Sequence, residues 1–200
     1  MARHPLIAFE GPIAAGKTTL AALLAAHLEG DLVLEPFEGN EFLSDFYRDR
    51  ERWSLAMQLS FLDMRREQMM EIPKPFSRTV VADYSQWKDG IFAGMLLRDR
   101  ELRLFERLNR VGWGSATTPD ILVYLDANND VLLSRIRSRG RPYELSIDPS
   151  YLNSLREAYE RATPIWRDTR VIRYDTSFLN LESGEQLNQF FHEITRRIAG

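Results

Sequence analysis

Short, almost wholly apolar runs alternate along this chain with longer stretches that are apolar on one side only. The short runs are Leu6–Glu10, Leu32–Glu35, Thr79–Asp83, Ile121–Asp126 and Val171–Asp175. They are rich in Val, Ile and Leu with little polar alternation, which predicts strands buried on both faces. The longer stretches predict helices over Lys17–Leu28, Glu41–Asp49, Trp53–Ile72, Ile91–Val111, Asn129–Ser138, Pro149–Arg161 and Gly184–Ile198. Strands that alternate with helices predict an α/β fold, a five-stranded parallel sheet flanked by helices in three layers. Pro73-Lys74-Pro75 and Thr117-Thr118-Pro119 punctuate loops that lead into strands. No repeat, low-complexity tract or flexible linker interrupts the pattern, so residues 1–200 are expected to form one domain.

A doubly wound sheet binds its ligands beyond the carboxyl ends of its strands. The first strand runs directly into Gly11-Pro12-Ile13-Ala14-Ala15-Gly16-Lys17-Thr18, a complete G-x-x-x-x-G-K-[ST] loop, followed by Thr19 and a strong helix-forming run. The glycines let backbone N–H groups turn inward onto phosphate oxygens. The positive end of the following helix points at the same anion, Lys17 reaches the terminal phosphates, and the Thr18 hydroxyl suits Mg²⁺. A nucleoside triphosphate is the expected ligand, which makes this a P-loop sandwich.

The same rule brings Glu35-Pro36, after the second strand, and Asp83-Tyr84-Ser85, after the third, to the crevice of the phosphate loop. A carboxylate at Glu35 is poorly placed for a nucleotide that is already multiply negative. It suits a general base that takes a proton from an acceptor hydroxyl, although a solvated acid at a strand end is equally common. Asp83 ends a strand that reads as central. It suits a Mg²⁺ site shared with Thr18, against the plainer role of a helix cap.

In Arg135-Ile136-Arg137-Ser138-Arg139-Gly140-Arg141-Pro142, Arg135 and Arg139 share one helix face, and Gly140 and Pro142 end the helix. Guanidinium groups stabilise charge on a migrating phosphoryl group, so an arginine-rich lid over residues 135–148 is expected. The plainer alternative is a solvated basic helix end. Gln58, Arg65 and Asp89 are polar residues in or beside apolar helical faces. A buried Gln presents a donor and an acceptor, which matches the edge of a nucleobase, against the plainer and by itself commoner role of a solvent-facing amide.

Composition narrows the partners. The 200 residues include 26 basic and 29 acidic side chains, for a net charge of −3, and no cysteine. That balance gives no reason to expect a nucleic acid polymer or an anionic membrane as partner. Disulfides, thiolate metal sites and a cysteine nucleophile are excluded. With neither a signal peptide nor a membrane-spanning run expected, the reading is a cytoplasmic protein with a small-molecule substrate.

Taken in order, GPIAAGKTTL, Glu35-Pro36, Glu51-Arg52-Trp53-Ser54 with Gln58 and Arg65, Asp83-Tyr84-Ser85 with Asp89 and Phe92, and RIRSRGRPYE resemble the deoxynucleoside kinases, especially their bacterial deoxyadenosine/deoxyguanosine branch. The likeness runs from about Ile7 to Tyr159, with an echo at Tyr174-Asp175. It implies ATP as donor and transfer to the 5′-hydroxyl of a deoxyribonucleoside. Deoxyadenosine is favoured, with deoxycytidine and deoxyguanosine as alternatives. It implies that Glu35 is the base and that Tyr47 and Glu144 grip the 3′-hydroxyl. Gln58 and Phe92 hold the nucleobase, with Arg65 and Asp89 coupled at its edge. Arg135, Arg139 and Arg141 close over the phosphates, Asp175 lies near the donor adenine, and the chain forms a homodimer. One position departs from the commoner pattern: Tyr84 stands where an arginine is usual, leaving Arg65 or a lid arginine to compensate. The rival activities are nucleoside monophosphate kinase and a nucleotide-dependent regulatory module. The first needs no base. The second, if a GTPase, would carry D-x-x-G and N-K-x-D strings, which this chain lacks.

Overall fold

The computed structural model describes residues 4–113, 118–167 and 169–199. Thr117, part of the expected Thr117-Thr118-Pro119 loop, lies outside the described residues. Five strands, β1 (Leu6–Glu10), β2 (Asp31–Val33), β3 (Val80–Ala82), β4 (Ile121–Asp126) and β5 (Arg170–Asp175), form one sheet in the order β2-β3-β1-β4-β5. Every neighbouring pair is parallel. The centre of the sheet is β1, not β3 as the sequence suggested. Both ends of β1 therefore lie over neighbours, and the phosphate loop is delivered to the middle of the sheet edge.

Alternation within each strand sorts the core into two faces. Ile7, Phe9, Val81, Val123 and Leu125 point toward α1 (Lys17–His27) and α8 (Gly184–Ala199), against Leu20, Leu24, Phe190 and Ile194. Ala8, Leu122 and Tyr124 point the other way, onto Leu155, Tyr159 and Trp166. Tyr159 belongs to α7 (Pro149–Ala162), and Trp166 to the short 3₁₀ turn that follows it. Among the described residues, no helix is long and apolar enough to cross a membrane.

The edge strand β2 ends at Val33, two residues earlier than expected. Pro36, three residues on, restricts Glu35 before it. The Glu35 N–H is taken out of the ladder by Asp83 Oδ1 at 2.7 Å. The helical stretch after β2 is shorter than its sequence pattern, α2 spanning only Leu43–Arg48. Next, α3 (Arg50–Glu71) is opened by the Asp49 side chain, which accepts from Arg52 N. Its buried face carries Ser54, Met57, Gln58, Phe61, Leu62, Arg65 and Met69. Gln58 and Arg65, two turns apart, thus ride on the same inward stripe.

The run Ile91–Val111 is two helices rather than one, α4 (Trp87–Leu96) and α5 (Asp99–Gly112). Leu97 and Arg98 are extended between them, and the Arg98 guanidinium donates to the carbonyls of Met95 and Leu97 at 2.9 and 2.8 Å. The break lets Leu97 and Phe105, both fully buried, pack together on Leu62 of α3. The apolar spacing continues across the break, so the sequence pattern could not reveal it. α4 also begins four residues earlier than expected, which places Lys88 and Asp89 in its first turn.

On the far side, α6 (Asn129–Arg139) starts at an Asn128 cap and stops where Gly140 turns left-handed with φ 68°. A 3₁₀ turn, Pro142–Ser146, crosses to Asp148, whose side chain caps α7.

Candidate active site

The phosphate loop leaves β1 through Gly11, whose φ is 140°. A Cβ there would lie 2.0 Å from Leu125 O on the neighbouring strand, so no other residue fits. Ala14 also has a positive φ, 65°. Lys17 Nζ folds back to donate to Gly11 O and Pro12 O at 2.7 and 2.8 Å. Burial, and after it the neighbouring ammonium of Lys88, lower Lys17 to about 8. The loop is braced from outside. Thr176 Oγ1 donates to Ala15 O at 2.9 Å, and Arg135 donates to Thr176 Oγ1 and O at 2.9 and 2.7 Å.

Thr18 Oγ1 donates to Asp83 Oδ2 at 2.6 Å. Two hard oxygen atoms thus meet at the mouth of the loop. Mg²⁺ characteristically takes one or two protein oxygens and fills its octahedron with water and phosphate, so this pair fits it. Among the described residues, no group of three or more His, Cys, Asp or Glu side chains could hold a metal on its own.

From the loop, a cavity of about 620 Å³ runs between α3, α4 and the lid. Glu35 stands in its wall at the centre of a charge chain. Its Oε1 accepts from Arg65 Nε at 2.8 Å and also from Arg65 Nη2, and its Oε2 accepts from Lys88 Nζ at 2.7 Å. Arg65 Nη1 in turn bonds Asp89 Oδ1, and Asp89 Oδ2 accepts from Trp113 Nε1 at 2.8 Å. Burial by itself would raise the Glu35 carboxyl. Arg65 and Lys88 outweigh it and hold the group at about 2. The chain Lys88–Glu35–Arg65–Asp89 alternates in sign, which offsets the cost of burying four charges.

Farther along the same cavity lies Gln58, 1% exposed. Its Oε1 has no hydrogen-bond partner, and its Nε2 reaches only Met57 Sδ at 3.7 Å. A buried amide left without partners is costly, and such an exception needs a reason. A ligand edge that supplies a donor and an acceptor would satisfy it. Phe92 lines the wall nearby, edge-on to Tyr159. Tyr47 also lines the cavity and stacks on Tyr143, and burial raises its hydroxyl well above the usual range.

The lid closes the outer side. Glu144, 4% exposed, accepts from Arg139 Nη2 at 2.5 Å and from Arg141 Nη1 at 3.3 Å. The Arg141 guanidinium also lies over the Phe37 ring, 3.8 Å from its centre, within cation–π range.

The structure brings most of the sequence-derived candidates into one cavity: residues 13–19, Glu35, Tyr47, Gln58, Arg65, Asp83, Phe92, Arg135, Arg139, Arg141 and Glu144. Four do not line it. Gly11 and Pro12 lie beneath the loop with their carbonyls on Lys17. Asp89 is fully buried behind Arg65, with both oxygens occupied. Asp175 is exposed at the end of β5 and caps the next turn through Ser177 N. Its neighbours Thr176 and 179–182 line the cavity instead, because the chain turns after β5.

Tyr84, expected to converge on the crevice, faces away. Its ring packs with Leu6, Met69 and Phe76, and its hydroxyl donates to Gln68 Oε1 at 2.7 Å. The cation beside Glu35 is supplied by Arg65 together with Lys88, whereas Arg139 and Arg141 are turned onto Glu144 and Arg135 onto Thr176. Lys88 was missed in the sequence. The available signal was its four-residue spacing from Phe92, which places both on one face of α4.

The comparisons with known proteins show the family of the chain. The model of the deoxynucleoside kinase family matches residues 7–198. The chain is 36% identical over 161 residues to a deoxyguanosine kinase of Bacillus subtilis, covering 79% of this chain and 78% of that protein. It is 32% identical over 197 residues to a deoxyadenosine kinase of Dictyostelium discoideum, covering 95% and 80%. The structure of deoxyadenosine kinase from M. mycoides with bound dCTP superposes with a TM-score of 0.82 at 24% identity, over 96% of this chain and 99% of that one, and so shares its fold. A phosphate loop, a carboxylate facing it, and a family match that spans nearly the whole chain lead to one statement: this chain belongs to the deoxynucleoside kinase family.

Proposed function

We propose that this chain transfers the γ-phosphoryl group of ATP to the 5′-hydroxyl of a deoxyribonucleoside, with deoxyadenosine favoured over deoxycytidine and deoxyguanosine. The observation that carries the proposal is the shared cavity in which Glu35 faces Lys17 and Thr18, with the unpartnered Gln58 amide farther in. The nucleobase pairs with Gln58 and stacks on Phe92, and Tyr47 and Glu144 take the 3′-hydroxyl. Adenine offers N6–H and N7 to an amide, and cytosine fits the same amide when it is flipped. Arg65 and the Asp89 behind it give the base edge a fixed cation. The relatives named for deoxyadenosine and deoxyguanosine are consistent with a purine.

Phosphoryl transfer passes through a loose transition state, so catalysis is mostly positioning and charge neutralisation. A carboxylate held near 2 is a weak base toward a free alcohol. It is adequate for a proton released late, once the new P–O bond has made the 5′-oxygen acidic. Glu35 therefore orients the hydroxyl first and takes its proton last. Lys17 leaves Gly11 and Pro12 for the donor phosphates, and Arg135, Arg139 and Arg141 neutralise charge on the migrating group. Thr18 and Asp83 would hold Mg²⁺, which when bound offsets the negative charge of the triphosphate.

The test is a coupled assay with ATP and Mg²⁺, offering the four deoxynucleosides beside their monophosphates. Turnover of monophosphates alone would replace this reading with the monophosphate-kinase one. In the same assay, Glu35→Gln is expected to keep nucleoside binding and lose about 10²–10⁴ in kcat. Turnover within about threefold of wild type, roughly 0.65 kcal/mol, overturns the role of Glu35. A homodimer is proposed as well, supported by Leu108 and Val111 exposed on α5 at 43% and 81%. Light scattering that finds a monomer at micromolar concentration would reject it.

A further inference from the structure

We propose that Lys88 is a further catalytic residue of this kinase: its ammonium holds Glu35 while the site is empty and moves onto the acceptor's 5′-oxygen once the nucleoside is bound. The inference rests on the reading of Glu35 given above and deepens it.

The two oxygens of Glu35 are held in different ways. Oε1 takes two bonds from the planar Arg65 guanidinium, which is pinned by Asp89, itself pinned by Trp113. Oε2 takes one bond, from the end of a flexible four-carbon side chain. A hydroxyl that needs this carboxylate meets far less resistance at Oε2. Displacing Arg65 would unpair Asp89, which is 0% exposed, whereas displacing Lys88 breaks a single bond.

The displaced ammonium has somewhere to go. Lys88 is 6% exposed and lines the cavity beside Phe92, its Nζ lying 5.9 Å from that ring's centre. An alcohol oxygen bonded to Oε2 stands next to the position that Nζ has just left. Lys88 lines the same cavity as Lys17 and Thr18 of the phosphate loop, with its Nζ on Glu35. No cation reaches that point from the end of β3, because the Tyr84 ring is turned into the core and bonded to Gln68. Lys88, one helical turn later, is the cation that the backbone brings there instead.

The step balances without any added reagent. The 5′-oxygen forms its bond to the γ-phosphorus as the bond between that phosphorus and the ADP oxygen breaks, and the electron pair leaves on ADP. The hydroxyl proton passes to Glu35 Oε2. Lys88 keeps its three protons and donates one hydrogen bond, first to Glu35 and then to the 5′-oxygen, which becomes the bridging oxygen of the product. A preorganised donor aimed at developing charge is typically worth about 10²–10³ in kcat.

The experiment compares wild type, Lys88→Met, Lys88→Ala, Lys88→Arg and Glu35→Gln with the deoxynucleoside that wild type turns over fastest. Lys88→Met is expected to lose about a hundredfold in kcat with nucleoside KM changed less than about threefold. Added ethylammonium should restore Lys88→Ala saturably, and Lys88→Arg should retain more turnover than Lys88→Met. By calorimetry, Lys88→Met should bind the product monophosphate about tenfold more weakly while nucleoside affinity stays within about threefold. A purely structural lysine would not separate those two affinities. The proposal is overturned if Lys88→Met keeps kcat within about threefold of wild type. It is equally overturned if Lys88→Ala and Lys88→Arg, with wild-type melting temperatures, are both as slow as Lys88→Met and indifferent to the amine. If wild type phosphorylates no deoxynucleoside, or Glu35→Gln remains active, the underlying reading fails. If Glu35→Gln is inactive and Lys88→Met is not, only the role of Lys88 fails.

Discussion

The two walls of the cavity hold their charges differently. On the wall proposed to take the acceptor, Arg65 of α3 bonds both Glu35 and Asp89, and Trp113 closes the chain. On the wall proposed to take the donor, the cations rest on groups that a triphosphate would replace. Lys17 lies on two loop carbonyls, and Arg139 and Arg141 lie on Glu144. The acceptor wall is built before its ligand arrives, so its interactions belong to the stability of the fold. On the proposed function, the donor wall holds its cations in reserve and its interactions belong to turnover. Lys88 sits on the acceptor wall but is held by a single side-chain bond, which suits the change of partner proposed for it.

Removing Arg65 should break this contrast most severely. Arg65→Leu leaves the Asp89 carboxylate wholly buried without its cation and leaves Glu35 with Lys88 alone, for an expected loss of about 3–5 kcal/mol of stability, read from urea unfolding. A loss below about 1 kcal/mol would mean that the acceptor wall is no more structural than the donor wall. Next in size is Gln58→Leu. It removes an amide that the fold leaves unsatisfied, so unfolding stability should hold or rise, while nucleoside KM rises by about 1–3 kcal/mol equivalent. Lost stability with unchanged KM would show that the amide serves the core instead. The smallest effect on folding is expected at Arg139→Ala, within about 1 kcal/mol, because Arg141 still pairs Glu144 and Arg139 is a third exposed. Its kcat should nonetheless fall about tenfold or more, and a fall in stability without a fall in kcat would assign this arginine to the fold.

The legible and illegible parts of the molecule differ in how local their causes are. All five strands and the phosphate loop could be read in advance, because apolar runs and a contiguous eight-residue motif carry their own geometry. The break at Leu97–Arg98 could not. It exists so that Leu97 and Phe105 can share Leu62, a contact with a distant helix, and the spacing of apolar residues is unchanged across it. The orientation of Tyr84 was hidden for a similar reason. Its strand-end position suits the crevice, yet its ring is drawn to Met69 and Phe76 and its hydroxyl to Gln68. Asp175 illustrates the same limit at β5, where the turn into Thr176 decides which residue faces the ligand.

By itself, then, the order of residues determined the α/β layering and the phosphate-binding loop, since each rests on short-range periodicity or a local motif. Which oxygen of Glu35 is free to exchange its partner, which cation stands beside it, and which candidates lie behind the wall were decided only by packing. Arg65, Lys88 and Asp89 come from two helices and Glu35 from a loop, 30 and 53 positions separating Glu35 from Arg65 and Lys88. Their mutual charge pairing arises when burial removes water and each must find a partner among whatever the fold brings within reach.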